Sequence, residues 1–261
     1  LRIFKDLNFT LGALFMFIVG ITLFSGLALL PPLLQNLMGY PVIFSSIIMA
    51  PRGLATMASM MIVGRLTGKV DARILMLFGT GLMAFSLYQM TGFNLQMDFW
   101  PVITTGMIQG FGMGFVFVPL STMAFATIAP KFRADGTSMF SLVRNMGQGV
   151  GISIVTAVLA TMLQVNHAEL GERLTATSQS VANLMPSLLT GNATVVSQIN
   201  GLVSQQAAML SYLDDFWLMM LLSLIAVPLI LMLRGPKKPD ASAKPKTEEE
   251  KALERAHAMA E

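Results

Sequence analysis

Arg52 stands near the middle of an apolar run, IFSSIIMAPRGLATMASMMIV at positions 43–63. Counted from Ile43 it lies about 13 Å along a helix, beyond comfortable reach of the outer interface. An arginine held at a bilayer centre costs roughly 2.5–3.5 kcal/mol on insertion scales, so such a group ordinarily faces a cavity or a partner. The alternative is a helix that starts later and lets Arg52 snorkel outward. Pro51 and Gly53 flank it and add local helix distortion, common where a pathway is lined. Arg144 and Asn145 form a second polar pair, about two turns into another apolar run from its basic end. A gating role and simple snorkelling to the inner interface both remain open for Arg144. Other chemistry is missing from the sequence: it has no Ser/His/Asp set, no HExxH spacing and no phosphate-binding glycine loop. With no cysteine, disulfides, thiolate nucleophiles and Cys-ligated metals are excluded. The two histidines, His167 and His257, are far apart in sequence and read as ordinary polar residues. Neither an enzyme nor a metal or cofactor is expected. No Asp or Glu falls inside an apolar run, so a proton-carrying carboxylate is expected outside this chain.

The elements that position these residues follow from composition. Hydrophobic residues make up 54% of the chain and charged residues 12%, against roughly 25% charged in a soluble domain. Six apolar spans are expected, over 9–30, 43–63, 74–93, 102–127, 137–163 and 216–233, each long enough to cross a ~30 Å hydrocarbon core. The segments between them alternate in charge. The loop GRLTGKVDAR at 64–73 holds Arg65, Lys69 and Arg73, whereas 33–41 holds no charge and 94–100 only Asp98. By the positive-inside rule the basic loops are cytoplasmic, and both termini with them. The net charge of +3 does not suggest nucleic acid, because the basic residues sit beside the spans. The chain begins at Leu1, and we read it as a piece of a longer protein.

Pro31-Pro32 is expected to end the first span, and Trp100-Pro101 to open the fourth. The fourth span carries Gly106, Gly110 and Gly114 at four-residue spacing, with Gly112 beside them and Pro119 further on. The fifth carries Gly147 and Gly151. Such spacing puts small residues on one face, where a neighbouring helix can approach closely; a hinge is the alternative. The third and sixth spans are almost wholly apolar. The long outer segment, 164–215, contains two amphipathic patterns, one at Val181, Leu184, Met185, Leu188 and Leu189 and one at Ile199, Leu202, Val203 and Leu210. These suggest helices lying on the bilayer or against a partner. Residues 1–234 read as a six-helix membrane domain, and 235–261 as a Pro/Lys-rich cytoplasmic tail, mostly disordered.

The chain resembles the C-terminal half of a major facilitator superfamily transporter, in particular the fourteen-helix drug:proton antiporters of the EmrB-like type. The resemblance rests on LLPPLLQNLMGYP (29–41), APRG (50–53), GRLTGKVDAR (64–73), QGFGMGFVFVPLST (109–122), SLVRNMGQGVGISI (141–154) and DDFW (214–217). It implies an all-α fold of six transmembrane helices forming half of a rocking transporter. The first and fourth helices would line a central cavity, the second and fifth would face the other half, and the third and sixth would be peripheral. By position, Arg52, Gln109, Met113 and Phe117 would border the substrate pathway or gate, and Arg144 and Asn145 match the family's Arg-bearing motif. Gly64, Arg65, Lys69, Asp71 and Arg73 match its cytoplasmic loop. That loop usually has an acidic residue at its fifth position and a glycine at its eighth; here Gly68 and Asp71 stand there. The function implied is proton-coupled export of hydrophobic or amphipathic small molecules across the inner membrane. The implied partners are membrane lipid, the missing N-terminal half, small hydrophobic substrates and a periplasmic adaptor subunit, with no cofactor. A porter for one specific solute, or a scaffold binding a partner through its outer loop, are the alternatives. The fragment alone is expected not to transport.

Overall fold

Asp6 starts the first helix by accepting hydrogen bonds from the backbone N–H groups of Asn8 (2.9 Å) and Phe9 (3.2 Å), the usual office of an N-cap carboxylate. The computed structural model describes residues 6–125, 133–176 and 193–233. Helix α1 spans Leu7–Pro32, α2 Val42–Leu66, α3 Ala72–Met90, α4 Trp100–Phe125, α5 Arg133–Ala176 and α6 Ala193–Ile225, with a short α7 at Val227–Met232. Among the described residues there is no strand beyond one isolated bridge between Thr67 and Val70.

Five of these helices are long and apolar enough to cross a membrane. The remaining long one, α3, has 19 residues with Arg73 in its first turn, and its length of about 28 Å matches a hydrocarbon core. Six crossings bring the start of α1 and the end of α7 to the side of the basic α2–α3 loop, the cytoplasmic side.

The extended fold departs from the sequence expectation at three places. First, the regular α-helix ends at Pro32 but the helical run does not. Two consecutive missing N–H donors break the ordinary ladder, and the chain continues as a π-helical turn, Leu33–Leu37, closed by Met38 N–H on the Leu33 carbonyl at 3.2 Å. Gly39, at φ 70°, then releases the chain toward Pro41. Second, the last span is broken at Ala226, where Pro228 opens α7 and cannot continue the α6 hydrogen bonding. Third, α5 runs on to Ala176 and α6 begins at Ala193, so the described parts of 164–215 continue the membrane helices. The second amphipathic pattern thus belongs to α6; the first lies outside the described residues, as does the tail.

Helix pairing in lipid depends on close contact and not on the hydrophobic effect. The broadest seams join α4 to α2, α4 to α3, and α1 to α5. A methyl group at Gly79 would sit 2.6 Å from the Gly112 carbonyl oxygen, so α3 and α4 touch backbone to backbone. Two apolar clusters fill the interior. One, nearer the cytoplasm, includes Phe9, Met16, Leu23, Val116, Leu120 and Phe140. The other, nearer the outside, includes Leu30, Leu34, Ile48, Met90, Val102 and Phe216. Burial is uneven: 67% of the apolar part of α1 is buried but only 17% of that of α5 and 28% of that of α2. Ile43, Ile47, Leu54, Met57 and Met61 on α2, and Leu142, Met146 and Val150 on α5, are exposed.

Candidate functional site

The two apolar clusters leave a gap at one level of the bundle, and polar side chains occupy it. On α1 the gap falls between Phe24 and Leu29, on α2 after Met49, and on α4 between Ile103 and Met113. It contains Ser25, Arg52 and Gln109, all buried, with Arg52 only 7% exposed. Arg52 lies about 15 Å along α2 from its outer end, and Gln109 about 13 Å along α4, which sets both at one depth.

Glycines bring the backbones close enough for this. Gly110 packs so tightly on α2 that an added Cβ would collide with the Arg52 carbonyl oxygen. Thr56 donates its hydroxyl to that same carbonyl at 2.9 Å. One turn earlier, a Cβ at Gly106 would lie 3.7 Å from Arg52 Cβ. Gly114 continues the seam at Ser59. Gln109, on an adjoining side of the same turn of α4, reaches toward α1, its Nε2 3.7 Å from where Gly26 would carry a Cβ. Gly147 and Gly151 of α5 meet α1 at Phe17 and Ile21, and Ser25 Oγ lies 2.9 Å from the Cβ position of Gly151.

Five buried polar atoms in this layer have no hydrogen-bond partner: Ser25 Oγ, Arg52 Nη1 and Nη2, and Gln109 Nε2 and Oε1. Buried polar groups in folded proteins are nearly always satisfied, so a group of unmatched atoms calls for an explanation. Two surface clefts formed by the described residues do not reach them. One, about 530 Å³, lies at the outer end of α3 and α4 beside Phe93, Asn94, Trp100 and Thr104. The other, about 390 Å³, lies at the cytoplasmic end beside Ser121, Thr122, Arg133 and Thr137.

The remaining residues singled out in the sequence fall elsewhere. Arg144 is half-buried and its guanidinium carbon stands 6.0 Å from the centre of the Phe117 ring, a cation–π arrangement. This joins α5 to α4 nearer the cytoplasm than the Arg52 layer. Met113 and Phe117 are half-buried against the cytoplasmic apolar cluster, whereas Asn145 is exposed. Pro51 and Gly53 sit on either side of Arg52, Gly53 in open space, and Pro119 is buried within α4.

In the cytoplasmic loop, Gly64, Arg65 and Lys69 are exposed, and Arg73 is half-buried with an unmatched Nε. Asp71 caps α3, accepting from Arg73 N–H at 3.0 Å. Gly68 has φ 93°, a conformation that side-chain-bearing residues avoid. This accounts for glycine at the loop position where the family usually carries an acid.

Two features were not apparent from sequence. Ser25 is one serine in an apolar helix, and only packing reveals that it joins the layer. Asp215 was placed just before the last span, but α6 carries it into the bundle, where it is fully buried with both carboxylate oxygens unpartnered. Its neighbourhood is otherwise well bonded: Asn166 of α5 donates to Ser211 Oγ (3.1 Å) and Asp214 Oδ2 (3.2 Å). The DDFW sequence was the available signal. Among the described residues no cluster of three or more His, Asp or Glu could hold a metal ion.

A bundle of apolar helices with a charged, polar layer buried at mid-depth defines a membrane transport protein. The Major Facilitator Superfamily model matches residues 2–167, and the chain belongs to that family. It is a non-enzymatic, multi-pass protein of the inner membrane. Among its relatives, Multidrug export protein EmrB of Escherichia coli K12 is 29% identical over 241 residues, 90% of this chain and 47% of that protein. Fatty acid resistance protein FarB of Neisseria gonorrhoeae is 27% identical over 240 residues, again 90% of this chain and 47% of that protein. The chain spans about half the length of these curated relatives. A crystal structure of a bacterial homolog of the human lysosomal transporter Spinster, inward-facing and occupied, has the same fold (TM-score 0.61, 14% identity, 88% of this chain and 50% of that one).

Proposed function

We propose that this chain is the C-terminal half of a proton-driven exporter of hydrophobic or amphipathic small molecules. The observation that carries the reading is the pairing of two features: a buried polar layer at mid-depth, and the uncovered apolar faces of α2 and α5. In the family's geometry those two helices meet the other half, and the half-length match to the relatives supports a missing N-terminal partner. The names of EmrB and FarB support export of drug-like and fatty-acid-like compounds. Residues 1–234 form the half-transporter, residues 164–215 its periplasmic segment and the docking place for an adaptor subunit, and 235–261 a cytoplasmic tail. Arg52, Gln109, Met113 and Phe117 border the pathway, Arg144 with Asn145 serves the inner gate, and the glycines set the helix seams.

Proton coupling needs a carboxylate shielded from bulk water. Asp215, the one fully buried acid among the described residues, supports such a group in this half, alongside any in the missing one. The test is dye efflux from cells expressing the intact parent protein, with and without a protonophore, for wild type and Arg52→Ala. Efflux that collapses with the proton gradient and weakens in the variant is expected. Efflux indifferent to the protonophore would refute proton coupling, and normal efflux by the variant would remove Arg52 from the pathway.

A further inference from the structure

We propose that Arg52, Gln109 and Ser25 form a receptor for the anionic head of an amphipathic substrate, so that carboxylate-bearing amphiphiles are preferred over neutral ones of the same length. The inference rests on the exporter reading and narrows its substrate class. Its basis is a charge imbalance: Nη1 and Nη2 of Arg52 are buried without an acceptor. The acids among the described residues are exposed or half-exposed except Asp215, and Asp215 stands on α6 with no partner of its own. A buried guanidinium without a counter-charge is costly. An anion that arrives with the ligand neutralises it only while the ligand is bound.

The donor set suits a carboxylate. Two guanidinium nitrogens present the parallel N–H groups that a carboxylate accepts from bidentately. Gln109 Nε2 and the Ser25 hydroxyl add donors from the neighbouring helices, and both are unengaged. Apolar rows bound the layer on both sides, Ile48 and Val102 toward the outside and Leu23 and Val116 toward the cytoplasm, surroundings that match the hydrocarbon part of an amphiphile. Helices α1 and α2 share hardly any seam. Gly26 faces only Gln109 across 3.7 Å, and Gly53 faces empty space. The loosest seam beside the donor groups is therefore the one between α1 and α2.

The experiment is equilibrium binding of dodecanoate and of its methyl ester to the intact parent transporter in lipid nanodiscs, for wild type, Arg52→Gln and Arg52→Lys. Wild type is expected to bind the carboxylate at least tenfold more tightly than the ester. Arg52→Gln should erase that difference, and Arg52→Lys should keep part of it. Equal binding of the two compounds by wild type would overturn the proposal without any variant having to fold. A loss of both affinities alike in Arg52→Gln would also overturn it and mark Arg52 as a structural partner of another protein carboxylate. Dye efflux measured on the same preparations separates the two readings. Efflux without carboxylate preference refutes the receptor and leaves the exporter standing, whereas neither efflux nor binding refutes both.

Discussion

The seam at Gly110 offers the sharpest test of the packing. Adding one methyl there (Gly110→Ala) places a Cβ against the Arg52 carbonyl oxygen, 2.8 Å from Thr56 Oγ1 and 3.1 Å from the Arg52 carbonyl carbon. Backbone cannot rotate out of the way as a long side chain can, so α2 must move away from α4. Overpacking of this kind costs about 1–3 kcal/mol. The control is Gly81→Ala on the exposed face of α3, where nothing lies within 4 Å of the new methyl. That change gains about 1 kcal/mol of helix propensity. The two single-methyl variants should therefore differ by about 2–4 kcal/mol, or roughly 4–16 °C in Tm for a chain of this size. Thermal unfolding of purified protein in detergent reads this directly, with dye efflux as the functional companion, because shifting α2 also shifts Arg52. A Gly110→Ala protein melting with Gly81→Ala would refute the reasoning. So would Gly110→Leu with intact efflux, which would also dismiss any hinge at this position.

Other predictions follow from single contacts. Asp215→Leu removes two unmatched buried oxygens and should stabilise by about 1–3 kcal/mol; a lower Tm would show that the carboxylate is satisfied in the working protein. Asp71→Ala removes the α3 cap and should cost about 1 kcal/mol, seen as faster amide exchange in the first turn of α3, with slower or unchanged exchange as the refuting result. Arg144→Gln and Phe117→Leu, combined in a double-mutant cycle of Tm values, should show a coupling of about 0.5–1 kcal/mol; strict additivity would dissolve the pair.

The helical architecture was readable because a membrane permits little else: long apolar runs must satisfy their backbone internally. The basic loop at Arg65, Lys69 and Arg73 set the orientation by the same logic. Arg52 was visible because a charge inside an apolar run is rare. Gln109 was reached only through the family resemblance and Ser25 not at all, because both are ordinary residues until packing sets them at one depth. Hydropathy also misplaced Asp215. A charged pair depresses any window containing it, so the span was begun at residue 216, although α6 starts at Ala193 and burial continues upstream through Ser211 and Ala207. Proline was read too literally. Pro31 and Pro32 change the pitch of a helix that neighbouring helices hold in place, as lipid-embedded helices permit.

The length of α5 has a mechanical consequence. Its 44 residues make a rod of about 66 Å, twice the thickness of the hydrocarbon core. Above the bilayer it is laced to α6 through Asn166 with Ser211 and Asp214, and through His167 with Asn200 at 3.0 Å. A rod anchored at its cytoplasmic foot amplifies angle into distance. A tilt of about 10° there swings the far tip by about 11 Å. The laced ends of α5 and α6 therefore form a lever arm, on which a small rotation of α5 about its contacts with Gly20 and Phe117 would be magnified. A spectroscopic label at the exposed Leu202 would read the transport cycle from outside the cell membrane.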